Sequence, residues 1–148
     1  MTEERKFLTR IALPDDSEAI AEIDRMVFPT PWGDFRKELE NEEKFLYVVA
    51  ELNGKVIGFA GLWIILEEGD FTNVAIHPDY RGEGFGGQLL DKLLEEGEKR
   101  GVKAFTLEVR VGNERARAMY TSRGFKEAGI RKAYYADNKE DALIMWRE

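Results

Sequence analysis

The stretch from Asn73 to Val109 constrains this chain more than any other. It reads NVAI, then the polar segment HPDYR, then the glycine run GEGFGG, then a leucine-rich stretch, then AFTLEV. Leu89, Leu90, Leu93 and Leu94 fall on one face at helical spacing. Their helix opens directly at the glycines and ends at Arg100, with Gly101 as the residue that closes it. A strand, a crossover helix and a second strand imply a parallel pair, here Phe71–Ile76 beside Ala104–Val109.

The flanking sequence adds antiparallel neighbours. FLYVVAEL and KVIGFAGLWIIL are joined by Asn53-Gly54, a strong hairpin signal. EEGD (Glu67–Asp70) is expected to turn the chain into FTNVAI. FLTRIAL (Phe7–Leu13) reads as a first strand ended by Pro14. Asp15 and Glu18 form a capping-box pattern ahead of Ala19, Ile20, Ile23, Met26 and Val27. FPTPW interrupts that helix, and Asp34 caps a short second one. Asn113 caps another short helix that stops at Gly124, and two strands finish the chain, one after Phe125 and one over Asp141–Trp146. The order is β-α-α-β-β-β-α-β-α-β-β. The expected fold class is α/β: a mixed, mostly antiparallel central sheet with flanking helices, in one domain over residues 1–148.

Composition narrows function by exclusion. The chain has no cysteine, which removes disulfides, thiolate metal sites and cysteine nucleophiles, and one histidine, His77, which removes a His-rich metal site. No metal is expected. Net charge is −7, a poor basis for neutralising phosphates along a nucleic acid and a better one for meeting a basic partner. No apolar run approaches the roughly 20 residues that span a bilayer. MTEERKF is charged and shows no leader, so a cytoplasmic protein, a monomer or weak homodimer, is expected.

Three readings fit the glycines. They are a turn that opens a helix, a dinucleotide site, or a phosphate cradle. Gly82, Gly84 and Gly87 match G-x-G-x-x-G, and Glu108 lies where a ribose-binding acid belongs. Against the dinucleotide site, the apolar strand stops at Ile76, and HPDYR separates it from the first glycine. Only 40 residues follow Glu108, too few for the further parallel strands such a fold needs. A cradle needs only converging N–H groups at a helix N-terminus. No Lys-Ser/Thr ending follows, so this is not a Walker loop.

NVAIHPDYRGEGFGGQLLDKLLEEGEKRG, followed by LEVRVGNERARAMYTSRGF, resembles the GNAT N-acetyltransferase family, and the element order is also that family's. The family's Arg/Gln-x-x-Gly-x-Gly/Ala motif is matched by Arg81, Gly84 and Gly86. The narrower pattern LEVR…N…A…Y…GF…R..YY…EDA..M is similar to RimI-type enzymes, which acetylate the N-terminal alanine of a small-subunit ribosomal protein. The resemblance implies the GNAT acyl-CoA N-acyltransferase fold, acetyl-CoA as co-substrate and a basic ribosomal-protein N-terminus as partner. It implies that Arg81, Gly82, Glu83, Gly84, Phe85, Gly86 and Gly87 hold the coenzyme A pyrophosphate through backbone N–H groups. Val74, Ala75 and Ile76 would offer backbone to the pantetheine arm, with Asn113 and Tyr120 as further contacts. Gly82 and Gly87 stand where many members carry Arg, Lys or another polar residue, so this loop brings fewer cations of its own.

The same resemblance makes Glu108 the general base and Tyr120 the general acid. An α-amine with a pKa of about 7.7–8.0 costs roughly 1 kcal/mol to neutralise at pH 7, against about 4–5 kcal/mol for a lysine, so one carboxylate suffices. A phenol with a pKa of about 10 stays protonated at pH 7 and can supply a thiolate whose pKa is about 8.5. Taken alone, Glu108 reads first as a solvated strand residue or a partner of Arg110, and Tyr120 as a packing residue; the family pattern reverses both. Pro31 and Trp32 of FPTPW, with Tyr134 and Tyr135, are the expected peptide contacts. Two other readings remain: the same fold acting on a small amine or lysine, and a non-catalytic acyl-CoA-binding module.

Overall fold

The computed structural model describes residues 5–28 and 34–148. Its elements are β1 (Phe7–Ile11), α1 (Ser17–Val27), α2 (Phe35–Glu40), β2 (Phe45–Leu52), β3 (Lys55–Ile65), β4 (Glu68–Ile76), α3 (Phe85–Lys99), β5 (Ala104–Arg110), α4 (Glu114–Thr121), β6 (Lys126–Arg131) and β7 (Ala142–Arg147). The strands form one sheet in the order β1-β2-β3-β4-β5-β7-β6. β4 and β5 are its parallel pair, and the other neighbours run antiparallel. This is the mixed, mostly antiparallel sheet expected from the sequence.

Each face of the sheet carries its own apolar layer. On one, Leu89, Leu90, Leu93 and Leu94 of α3 pack against Leu46, Val48, Leu62, Phe105 and Leu107. On the other, Ile20 and Ile23 of α1 and Phe35 and Leu39 of α2 cover Tyr47, Val49 and Phe59. Each fully buried leucine contributes about 1.5–3 kcal/mol of transfer free energy. No helix among the described residues is long and apolar enough to cross a membrane.

The structure shifts three local boundaries. The β3–β4 turn lies at Leu66–Glu67, with Leu66 at φ +55°, and Glu68–Asp70 already belong to β4. Gly69 is a strand residue, paired with Ile64 and Phe105, and a Cβ there would lie 3.2 Å from Val102 Cγ1. Asp16, not Asp15, stands at the N-cap position of α1, without a side-chain cap bond to that helix. The Asp16 carboxylate accepts from Leu13 N–H at 2.7 Å and pairs with Arg10 at 2.8 and 2.9 Å, so the Pro14–Asp16 turn precedes α1. Asp15 instead faces Arg36 at 3.2 Å, and β1 stops at Ile11. The hairpin at Asn53-Gly54 has both residues at positive φ, +52° and +81°, as its sequence requires.

A bulge positions the site. Ala60 pairs with Val74 and Leu62 with Phe71, so Gly61 alone faces both Thr72 and Asn73. A Cβ on Gly61 would overlap the Tyr47 ring and lie 2.5 Å from Thr72 Oγ1. Gly61→Ala is therefore expected to destabilise the fold by about 1–3 kcal/mol. Urea unfolding checks this, and a change within about 0.5 kcal/mol would contradict the crowding.

Candidate active site

β4 and β5 hold ladder register only from Glu68 beside Ala104 to Asp70 beside Thr106. Beyond those three pairs the strands part, leaving a cleft of about 490 Å³. Phe71–Val74 form one wall and Leu107–Arg110 the other, with Asn113, Ala116, Met119 and Tyr120 across the gap and Phe28, Tyr134 and Tyr135 at its rim.

The β4 wall is held from behind. Asn73 donates to the buried Asp24 of α1 at 3.2 Å, Thr72 donates to the Tyr47 hydroxyl at 3.3 Å, and Tyr47 donates to Glu38 of α2 at 2.8 Å. Val74, Ala75 and Ile76 keep their β3 partners on one edge, and the other edge has left β5. That edge is the place for a ligand to add backbone hydrogen bonds.

The glycine loop begins where β4 ends. Arg81 Nε–H donates to the Ile76 carbonyl at 3.4 Å. Gly82 and Gly84 take φ of +83° and +81° with open space around them, and Gly84 immediately precedes α3. Such a bare, left-handed approach to a helix N-terminus suits an anion. Phe85 turns inward and stacks on Phe7 with centroids 4.5 Å apart, so its backbone alone faces the loop. A Cβ on Gly86 would make only ordinary contact, 3.8 Å from Ile76 Cγ1, whereas one on Gly87 would lie 2.7 Å from Arg123 Nη2. Glu83 is paired with Arg5.

Glu108 sits on β5 with its side chain about a third exposed. Its Oε1 meets Arg131 Nε at 3.1 Å, and its Oε2 accepts from the Tyr134 hydroxyl at 3.3 Å. Arg110, one alternative partner the sequence offered for Glu108, instead binds Asp137 at 2.9 Å and Glu140 at 3.4 Å, and lies 4.0 Å from the Tyr135 ring centroid. These contacts fold the β6–β7 connection over the end of β5 and bring Tyr134 and Tyr135 to the cleft. Their rings meet edge-on at 5.1 Å. Asn113 is the expected cap, accepting from Ala116 N–H at 3.2 Å, and also lines the cleft. Pro31 and Trp32 lie outside the described residues.

Tyr120 is buried on α4, edge-on to Phe71 and Phe125, and lines the same cleft as Glu108. Burial, followed by the neighbouring Tyr135, pushes its phenol up to about 12. The sequence reading missed Asp24, Thr72, Asn73 and Arg131. Asp24 was discoverable, being an acid four residues after Ile20 on the apolar stripe of α1. Arg131 was not, because its meeting with Glu108 depends on the β5-β7-β6 order.

Comparison with known proteins is consistent with this geometry. Residues 15–125 match the model of the acetyltransferase (GNAT) family. An Escherichia coli (strain K12) protein named ribosomal protein bS18-alanine N-acetyltransferase is 40% identical over 132 residues, covering 88% of this chain and 89% of that one. The crystal structure of the ribosomal-protein-S18-alanine N-acetyltransferase from Escherichia coli superposes with a TM-score of 0.85 at 37% identity, covering 96% of this chain and 93% of that one. That of a ribosomal-protein-alanine N-acetyltransferase from Brucella melitensis gives 0.82 at 26% identity, covering 95% and 98%.

The phenols provide a direct test of the site's dryness. Tyr120 and Tyr135 are both pushed up to about 12, chiefly by burial, and Tyr47 and Tyr134 are also raised. A raised pKa means the folded state holds its proton more tightly. Stability from these groups is therefore complete below about pH 10 and declines as pH rises towards about 12. Tyrosinate absorbance of the native protein should lag that of the denatured protein on alkaline titration. Superimposable curves would contradict the burial.

Proposed function

This chain belongs to the acetyltransferase (GNAT) family, and from that premise we propose that it moves an acetyl group from acetyl-CoA to a protein N-terminal α-amine, the terminal alanine of a small-subunit ribosomal protein. The observation that carries the reading is the cleft between β4 and β5, lined by both a partly exposed carboxylate, Glu108, and a buried phenol, Tyr120.

Acetyl-CoA supplies an activated thioester, and the chain's own groups bind it and move protons. Backbone N–H groups from Arg81 to Gly87, at the positive end of α3, receive the diphosphate. The freed edge of Val74–Ile76 takes the pantetheine arm, and the Asn113 amide gives it a further contact. Transfer is direct, with both substrates bound at once. Glu108 takes the amine proton as the new amide bond forms and the carbon–sulfur bond breaks. Arg131 and Tyr134 fix the two carboxylate oxygens of Glu108. Tyr120 gives its proton to the departing sulfur. The burial that raises the phenol also raises a thiol leaving into the same dry space, which offsets the widening of the gap between donor and acceptor that the phenol's rise alone would cause.

Further carboxylates stand near Glu108. Asp70 is in register with Thr106, two residues before Glu108 on the same sheet face. Burial, then Glu68 and Glu108, raise the Asp70 carboxyl, and its Oδ1 is buried without a hydrogen-bond partner among the described residues. These acids favour a basic peptide, flanked at its N-terminus by Tyr134 and Tyr135. The reaction belongs to the cytoplasm, where ribosomal proteins are made.

Incubation with acetyl-CoA and an alanine-starting basic peptide should release free thiol, and mass spectrometry should place the acetyl group on the α-amine. Acetylation of lysine side chains alone would contradict the acceptor. Glu108→Gln and Tyr120→Phe should each lower kcat about 100-fold or more with little change in acetyl-CoA affinity. An equal loss of both would assign the residue to binding.

A further inference from the structure

The loop from Arg81 to Gly84 carries one cation and one acid. The acid, Glu83, sits between the two left-handed glycines, where a diphosphate is to be received. A carboxylate on the loop's own backbone lies within about one Debye length, roughly 8 Å, of an anion held there, and would repel it.

A charge from outside the loop meets this acid. Arg5, two residues before β1, places Nη1 2.6 Å from Glu83 Oε1. The same guanidinium lies 5.7 Å from the Phe85 ring centroid, and Phe7 stacks on that ring from β1 with planes 12° apart. Two residues of the N-terminal segment thus engage Glu83 and Phe85, on either side of Gly84. The guanidinium holds the Glu83 carboxyl below its usual range, and the carboxylate raises Arg5 in return. Both side chains are substantially exposed, 54% and 36%, so the pair adds little to folding stability. Its consequence falls instead on what the loop binds.

We propose that Arg5 is a positioning residue of the acetyl-CoA site: it draws Glu83 towards β1 and cancels its charge, so that the loop presents its N–H groups to the diphosphate without an opposing carboxylate. The inference rests on the acetyl-CoA reading above and adds the N-terminal segment to the site. It ties cofactor affinity to residues 5–7, far in sequence from the glycine motif.

Calorimetric titration with acetyl-CoA at low salt tests it through binding alone. Arg5→Ala should raise Kd about five- to tenfold, because an uncompensated charge then faces a multiply charged ligand. The gap should shrink as salt is added. Glu83→Gln should bind at least as tightly as the wild type. The double variant Arg5→Ala/Glu83→Gln should return to wild-type affinity, and Arg5→Lys should stay close to it. Melting temperatures of all four should stay near the wild type. Wild-type protein that binds no acetyl-CoA would overturn the acetyl-CoA reading itself. Wild-type binding that Arg5→Ala leaves unchanged would overturn the inference alone. So would a double variant as weak as Arg5→Ala, since that would place Arg5 on the ligand rather than on Glu83.

Discussion

Two hydrogen bonds hold β4 away from β5. Asn73 donates to Asp24 in α1, and Thr72 donates to Tyr47, itself bound to Glu38 in α2. They fix a bulge opposite Gly61, which redirects the strand after its three parallel pairs with β5. Without the divergence, the inner edge of Val74–Ile76 would be closed by β5 and no cleft would separate Glu108 from β4. The network lies beside an apolar layer, where a half-satisfied polar group costs about 1–3 kcal/mol. It is therefore a strong local constraint, and it makes α1 and α2 part of the site's foundation as well as cover for the sheet.

Charge then organises the opposite wall. Arg110 gathers Asp137 and Glu140, Glu140 accepts from Gly112 N–H at 2.8 Å, and Asp141 accepts from Ala133 N–H at 2.8 Å. These contacts anchor the β6–β7 connection, and with it Tyr134 and Tyr135, over the end of β5. Arg131 on β6 reaches Glu108 across β7. The result is a partly exposed carboxylate held at both oxygens, facing the same space as a phenol kept protonated by burial. Acetyl transfer to an amine calls for that pairing of a proton acceptor with a proton donor.

Much of this was legible in the sequence because it depends on local rules. The leucines of α3, the Asn53-Gly54 hairpin, the caps Asp34 and Asn113 and the closing glycine at 101 each follow from short-range spacing, and the structure places them accordingly. Family resemblance singled out Glu108 and Tyr120, and the fold brings both to one cleft. The misses share a cause. EEGD reads as a turn, but Gly69 is a strand residue where a Cβ would press on Val102. Asp15 and Asp16 are indistinguishable by pattern, and Arg10 on β1 decides between them. Arg131, Thr72 and Asn73 gain their roles only from strand order and register, which spacing alone does not encode.

The central claim is that the divergence of β4 from β5 and the glycine loop beside it together receive acetyl-CoA. Amide hydrogen exchange with and without acetyl-CoA tests this directly. Slowed exchange on ligand addition is expected along Val74–Ile76 and Gly82–Gly87, with β1–β2 pairing unchanged away from the loop. Binding that leaves those amides unprotected, or protects a different surface, would contradict the account.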